Sequence, residues 1–226
     1  MQREAGVRAR LAVLALLSLV AASAAHANGT GGGGPSTAFE RFVLSACTPC
    51  VQDTYTVASL AVPAVPLPAA LARPGTTTSR AGEIAIEVLR ARQLGRRDWP
   101  SLALRVTLSV TTQAAQPFRV AIGLLDGAEV RALSLAVAEM ARIAAGPSSG
   151  NAETTDVDFH GGSLRIGLLR VRADRVAYVQ AGDLAPLLQR PVWDVPATLY
   201  LPVTDLPALA EALARAASTI EAVRGE

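Results

Sequence analysis

Large apolar residues recur at every second position in three stretches near the middle of the chain. In "SLALRVTLSVTT", Leu102, Leu104, Val106, Leu108 and Val110 fall on one side, and Ala103, Arg105, Thr107 and Ser109 on the other. "GEIAIEVLR" sets Ile84, Ile86 and Val88 against Glu83 and Glu87, and "FRVAIGLL" alternates Phe118, Val120, Ile122 and Leu124. A period of two predicts strands with one buried face, here an antiparallel meander. The period then changes to that of a helix. Asp126 with Glu129 three residues on makes a capping-box-like start. Val130, Leu133, Val137, Met140 and Ala144 follow at helical spacing, and Gly146-Pro147 supplies the stop.

The same order recurs downstream. "TTDVDFHGGSLRIGLLRVRADRVAYVQAG" predicts strand, turn at Gly161-Gly162, strand, turn at Ala173-Asp174 and strand. A helical turn over Leu184–Gln189 and a strand at "ATLYLP" follow. A closing helix, capped by Thr204 or Asp205, carries Leu206, Leu209, Leu213, Ala216, Ile220 and Val223 on one stripe. Placing Asp126 over Asp205 brings Val130 onto Leu209, Val137 onto Ala216 and Ala144 onto Val223. This suggests a tandem strands-then-helix pseudo-repeat, residues 83–146 and 153–226. Upstream, "FERFVLSA" (Phe39–Ala46) and "TYTVASL" (Thr54–Leu60) have strand composition, so 39–60 reads as a strand pair with a CxxC turn. Residues 61–82 carry Pro63, Pro66, Pro68 and Pro74, too many for a central strand or a helix interior, and read as an extended connector. The expected class is α+β, with antiparallel sheets and two long amphipathic helices.

The ends of the chain read differently. Arg3, Arg8 and Arg10, the apolar stretch "LAVLALLSLVAASAA" and Ala25-His26-Ala27 form the pattern of a secretory signal peptide over residues 1–27. Residues 28–38, with "GTGGGGPST", read as a Gly-rich flexible tether. The chain has 21 basic and 19 acidic residues; the leader holds three arginines and one glutamate, which leaves 18 of each. A neutral mature protein attracts neither nucleic acid nor anionic membrane in a general way. No lysine occurs, which excludes both a GxxxxGK[ST] phosphate loop and Schiff-base chemistry.

The candidate chemistry begins at Cys47 and Cys50, the only cysteines. In an oxidising compartment they should close a disulfide across Thr48-Pro49. Cys-x-x-Cys spacing also suits thiol–disulfide exchange when a helix N-terminus lowers the thiol pKa. Thioredoxin-like proteins resemble this chain at "CTPC" and at "VPATLYL" (Val195–Leu201), a dozen residues in all, with Ala46 where their motif is preceded by an aromatic. That resemblance implies a redox role for Cys47 and Cys50. However, "VQDTYTVASL" shows no helical stripe after Cys50, and the structural staple is the expected role. Covalent haem would need CxxCH, and Val51 stands in place of the histidine.

His160 is the one histidine beyond the leader. On a strand it would share a face with Asp156 and Asp158, and Asp158 with His160 is a weak metal candidate; the expectation is a solvated polar face with no metal and no cofactor. Ser163 has no GxSxG elbow around it. Arginines group at Arg90, Arg92, Arg96 and Arg97, and again at Arg165, Arg170, Arg172 and Arg175. Guanidinium forks suit carboxylate or phosphate, which makes the first group an anion-binding candidate. Aromatics are 4% of the chain, too few to stack bases. The expected function is that of an exported, non-catalytic binding or assembly protein of the periplasm or beyond, its partner an unidentified protein or small ligand of the cell envelope. No membrane span is expected after signal cleavage. The alternatives are a thiol–disulfide oxidoreductase using Cys47 and Cys50, or a carrier of small apolar ligands, suggested by the 50% apolar composition.

Overall fold

A computed structural model describes residues 37–45, 47, 49–68, 71, 78–95, 100–110, 119–146, 154–171, 174–182 and 197–225. The expected signal peptide, most of the tether, the helical turn at 184–189, and Arg96, Arg97 and Arg172 lie outside them. The described residues belong to one compact unit within Gly33–Glu226. The chain is mixed α+β. Its first antiparallel sheet has the order β1 (Cys50–Val62), β2 (Gly82–Gln93), β3 (Ser101–Val110), β4 (Arg119–Asp126). The second has β5 (Thr154–Gly161), β6 (Leu164–Val171), β7 (Asp174–Ala181), β8 (Ala197–Leu201). Helix α1 (Ala38–Ser45) precedes the first sheet, α2 (Val130–Ala145) follows it, and α3 (Leu206–Arg224) follows the second.

β2 and β3 bury the side their alternation marks, whereas β4 does not: Ala121 and Leu125 enter the main core, Ile122 and Leu124 lie on the α1 side, and Val120 is 51% exposed. Ile84, Ile86, Val88, Leu104, Val106 and Leu108 face one core with Ile166, Leu168, Val179, Leu199 and Leu201 of the other sheet. The helices complete that core crosswise. α2 lies against β5 and β6, although it follows the first sheet in the chain; α3 lies against β1, β2 and β3, although it follows the second. The two helices also pack on each other. α2 buries Val130, Leu133, Val137, Met140 and Ala144, and α3 buries Leu206, Leu209, Ala212, Leu213, Ala216, Ile220 and Val223. Sheets meet where side chains are absent: a side chain at Gly82 would strike Leu199, and one at Gly123 would crowd Leu164.

Several expectations need correction. Phe39–Ala46 is not a strand, because Ala38–Ser45 forms α1. The reason is the local sequence "TAFE", a full capping box. The Thr37 Oγ1 accepts from Glu40 N–H at 3.1 Å, and the Glu40 carboxylate accepts from Thr37 N–H at 2.9 Å. Asp126 does not cap α2. Its carboxylate accepts from Ala38 N–H at 2.8 Å and from Phe39 N–H at 3.0 Å, so it caps α1 from 87 and more residues away. α2 begins at Val130 with Glu129 as N-cap, and α3 has Asp205 as N-cap; neither residue makes a side-chain capping bond. The proline-rich connector doubles back: Pro66 bridges Thr78, Ser79 N–H donates to the Val65 carbonyl at 2.8 Å, and Val65 N–H donates to Ser79 Oγ at 2.9 Å.

Candidate functional site

The disulfide locks the seat of α1. Phe39, Phe42 and Val43 of this helix lie on Leu89, Ala91, Ala103 and Leu124, on the side of the first sheet away from α3. Cys47, just past the C-terminal end of α1, bonds Cys50, the first residue of β1, with an S–S distance of 2.05 Å and Cα atoms 4.8 Å apart. Cys47 N–H donates to the Phe42 carbonyl at 3.1 Å, and Leu94 N–H donates to the Pro49 carbonyl at 3.0 Å. Cys47 is only 5% exposed. The carbonyl end of a helix carries partial negative charge, which disfavours a thiolate, whereas a reactive Cys-x-x-Cys wants the amino end. The two stretches that resemble thioredoxin-like proteins are not brought together. Leu199 of β8 packs at Gly82, which pairs with Val62, the opposite end of β1 from Cys50.

The two described members of the first arginine group, Arg90 and Arg92, neighbour Asp53. Arg90 lies directly across the ladder from Asp53, and Arg92 comes within 4.0 Å of it. Arg90 is 8% exposed, so its guanidinium is part of the interior edge. Arg170 and Arg175 are cross-strand neighbours, and Arg175 donates to the Ala144 carbonyl at the end of α2, where a cation complements the helix dipole. They line, with Ile143, Val157 and Leu168, a hollow of about 30 Å³, the size of a water molecule.

A different constellation forms on the second sheet, on the face turned away from α2. Register brings four cross-strand rows together. His160, Arg165, Gln180 and Thr198 make one; Asp158, Gly167, Tyr178 and Tyr200 make the next; Asp156, Leu169 and Val176 make a third; Thr154, Val171 and Asp174 make the last. Asp156, Asp158 and His160 are exposed on β5 while Val157 and Phe159 turn inward, as alternation in "DVDFHGG" requires. Arg165 holds the centre. Its Nε donates to Asp158 at 2.5 Å, its Nη2 reaches Asp156 at 3.4 Å, and its guanidinium lies over the Tyr178 ring, 5.4 Å from the centroid.

Tyr178 is 8% exposed because it lies across Gly167, where a side chain would overlap the phenol ring. Its hydroxyl donates to Asp156 at 3.2 Å. Burial, and after it the nearby Asp156 charge, push the phenol pKa up to about 12. The guanidinium of Arg165 is shifted up, chiefly by its bond to Asp158. At the corner of this face His160, Ser163, Leu164, Arg165, Gln180 and Gly182 line an open recess of about 200 Å³.

Asp158 is bonded to Arg165 across the strand pair. Among the described residues no group of three or more His, Cys, Asp or Glu side chains could hold a metal ion. Ser163 has an architectural part. Its Oγ accepts from Leu124 N–H at 2.8 Å and its N–H donates to the Leu124 carbonyl at 3.1 Å, which fastens the β5–β6 turn to β4. The sequence marked the Asp156–Asp158–His160 row and the arginine at 165. Tyr178 escaped it, since only the register of β6 and β7 reveals that Tyr178 faces Gly167.

Among the described residues no helix is long and apolar enough to cross a membrane. No protein-family profile matches the chain, and no curated protein is significantly similar to it.

Proposed function

We propose that this chain is an exported, non-catalytic binding or assembly protein of the cell envelope, and that it meets its partner through the open face of the second sheet. One observation carries the reading: the Arg165–Asp158–Asp156–Tyr178 network stands on the sheet face opposite α2, where no described helix packs and where Asp156, Asp158 and His160 are exposed. Ordered, mutually bonded polar and aromatic side chains present a fixed pattern to a partner at small entropic cost. The interior supports binding at the surface over carriage of an apolar ligand, because the residues between helices and sheets are packed to near-zero exposure. Envelope location rests on the signal-peptide pattern of residues 1–27.

We further infer a tandem duplication. Residues 83–146 hold three antiparallel strands and a helix and 153–226 hold four and a helix, with β1 upstream supplying a fourth strand to the first sheet. The pairs Val130/Leu209, Val137/Ala216 and Ala144/Val223 are all buried.

The test is site-specific photo-crosslinking in the native host. A photoreactive residue at Gln180 or Thr198 should give one dominant adduct, and one at Leu135, exposed on α2, should not. Equal adduct patterns from both faces would defeat the proposal, as would intact Met1 on the protein isolated from cells.

A further inference from the structure

The edges of the two sheets are unequally protected, and this names the class of partner. Along β1 the register shifts between Thr56 and Ala58, a bulge that spoils an edge for pairing. On β4 the Leu124 N–H and carbonyl are already taken by Ser163. β8 is only five residues long. β5 is different. It runs eight residues in unbroken register with β6, and no described strand lies on its other side.

The outward groups of β5 can be assigned. The two-residue turn Gly162-Ser163 is flanked by the pair Gly161 and Leu164, and in such a hairpin the flanking pair exchanges hydrogen bonds. Counting back by twos, Phe159 and Val157 also bond to β6, so the N–H and carbonyl groups of His160, Asp158 and Asp156 point away from the sheet. Those same residues carry exposed polar side chains on the open face, while Val157 and Phe159 are half-buried on the inner side.

A strand added here would have its side chains directly opposite these. Across from Asp156 and Asp158, which share one guanidinium between them, a carboxylate would be repelled and a basic side chain favoured. Across from Val157 and Phe159, apolar side chains would complete the cover. We infer that β5 is a strand-addition site for an extended protein segment whose residues alternate between basic and apolar. This inference rests on the proposed binding role of the second sheet. Main-chain bonds would supply affinity and the two side-chain rows specificity.

The test uses the full mature chain and an amidated nine-residue peptide of alternating arginine and valine, followed by calorimetry and amide NMR shifts. The peptide should perturb Thr154–Gly161 and bind at least tenfold more tightly than three controls. These are a peptide of the same composition in blocks, an alternating glutamate–valine peptide, and the arginine–valine peptide N-methylated at alternate residues. Asp156→Asn with Asp158→Asn should weaken binding about tenfold, and the peptide controls stand even if that variant folds poorly. Equal binding by the block peptide, shifts centred elsewhere, or self-association through β5 with no peptide bound would each overturn the inference. Peptide failure alongside a single crosslinked partner at Gln180 would defeat strand addition alone and leave the binding face standing.

Discussion

Replacing Asp126 by alanine should loosen a helix that lies 87 residues earlier in the chain. The first turn of α1 has four backbone N–H groups to satisfy, and the structure accounts for each. Thr37 N–H goes to the Glu40 carboxylate, Glu40 N–H to Thr37 Oγ1, and Ala38 and Phe39 N–H to the two carboxylate oxygens of Asp126. Hydrogen bonds to a charged group are worth about 1.5–3 kcal/mol each when well protected. The Ala38 bond is exposed and the Phe39 bond part-buried, so water replaces much of the first. The loss of an N-cap in proteins, about 1–2 kcal/mol, is the better guide, and about 2 kcal/mol is the expected cost. Undocking of α1 sets the ceiling, since Phe39 is 4% exposed and its removal would cost about 3 kcal/mol.

The assay is urea unfolding of Asp126→Ala, Phe39→Ala and the double variant, with hydrogen exchange of the α1 amides. Both single changes act on one docking event, so the double variant should fall short of their sum. Additive effects, or α1 protection unchanged in Asp126→Ala, would refute the long-range cap.

Other outcomes follow from the same structure. Gly162 has φ +52°, and a side chain there would overlap the Leu124 carbonyl oxygen. Gly162→Ala should therefore cost about 2 kcal/mol or more in urea unfolding, whereas Gly95→Ala, with φ +81° and open space around it, should cost about 1 kcal/mol. Tyr178 should ionise with a midpoint near 12, read as phenolate absorbance lost in Tyr178→Phe. Because burial raises its folded-state value above the ordinary 10, its contribution to stability should be full below pH 10 and fade as pH climbs through 12. Cys47→Ala with Cys50→Ala should lower stability by about 2 kcal/mol, the loop-closure figure for so short a ring. The same pair should leave crosslinking at Gln180 unchanged; loss of that adduct would assign the disulfide a part in binding.

Most of the scaffold was legible because its signals are local. Ile84, Ile86 and Val88 read as a strand by alternation alone, and Val130, Leu133, Val137, Met140 and Ala144 as a helical face by spacing alone. α1 reads as a strand because Phe39, Phe42 and Val43 have strand composition, although "TAFE", which begins two residues ahead of that segment, carries the helix signal. Asp126 was misassigned for the opposite reason: Glu129 stands at the capping-box spacing, while its true partner is distant. The crosswise placement of α2 and α3 leaves no trace in either helix, since an apolar stripe states that a face is covered and not by which sheet. The binding face was half legible. The acidic row on β5 follows from period two, and its coupling to Arg165 and Tyr178 depends on strand register.

The crosswise helices bear on how the molecule comes into being. The chain completes β1 to β4 first, yet the lid on their oily side is the nineteen-residue helix Leu206–Arg224, which comes well after them in the sequence. Until then the earlier half lacks the helix that completes its core. A chain cut short before Leu206 is thus expected to forfeit its beginning as well as its end, and to be handed to proteases rather than to persist as a truncated domain.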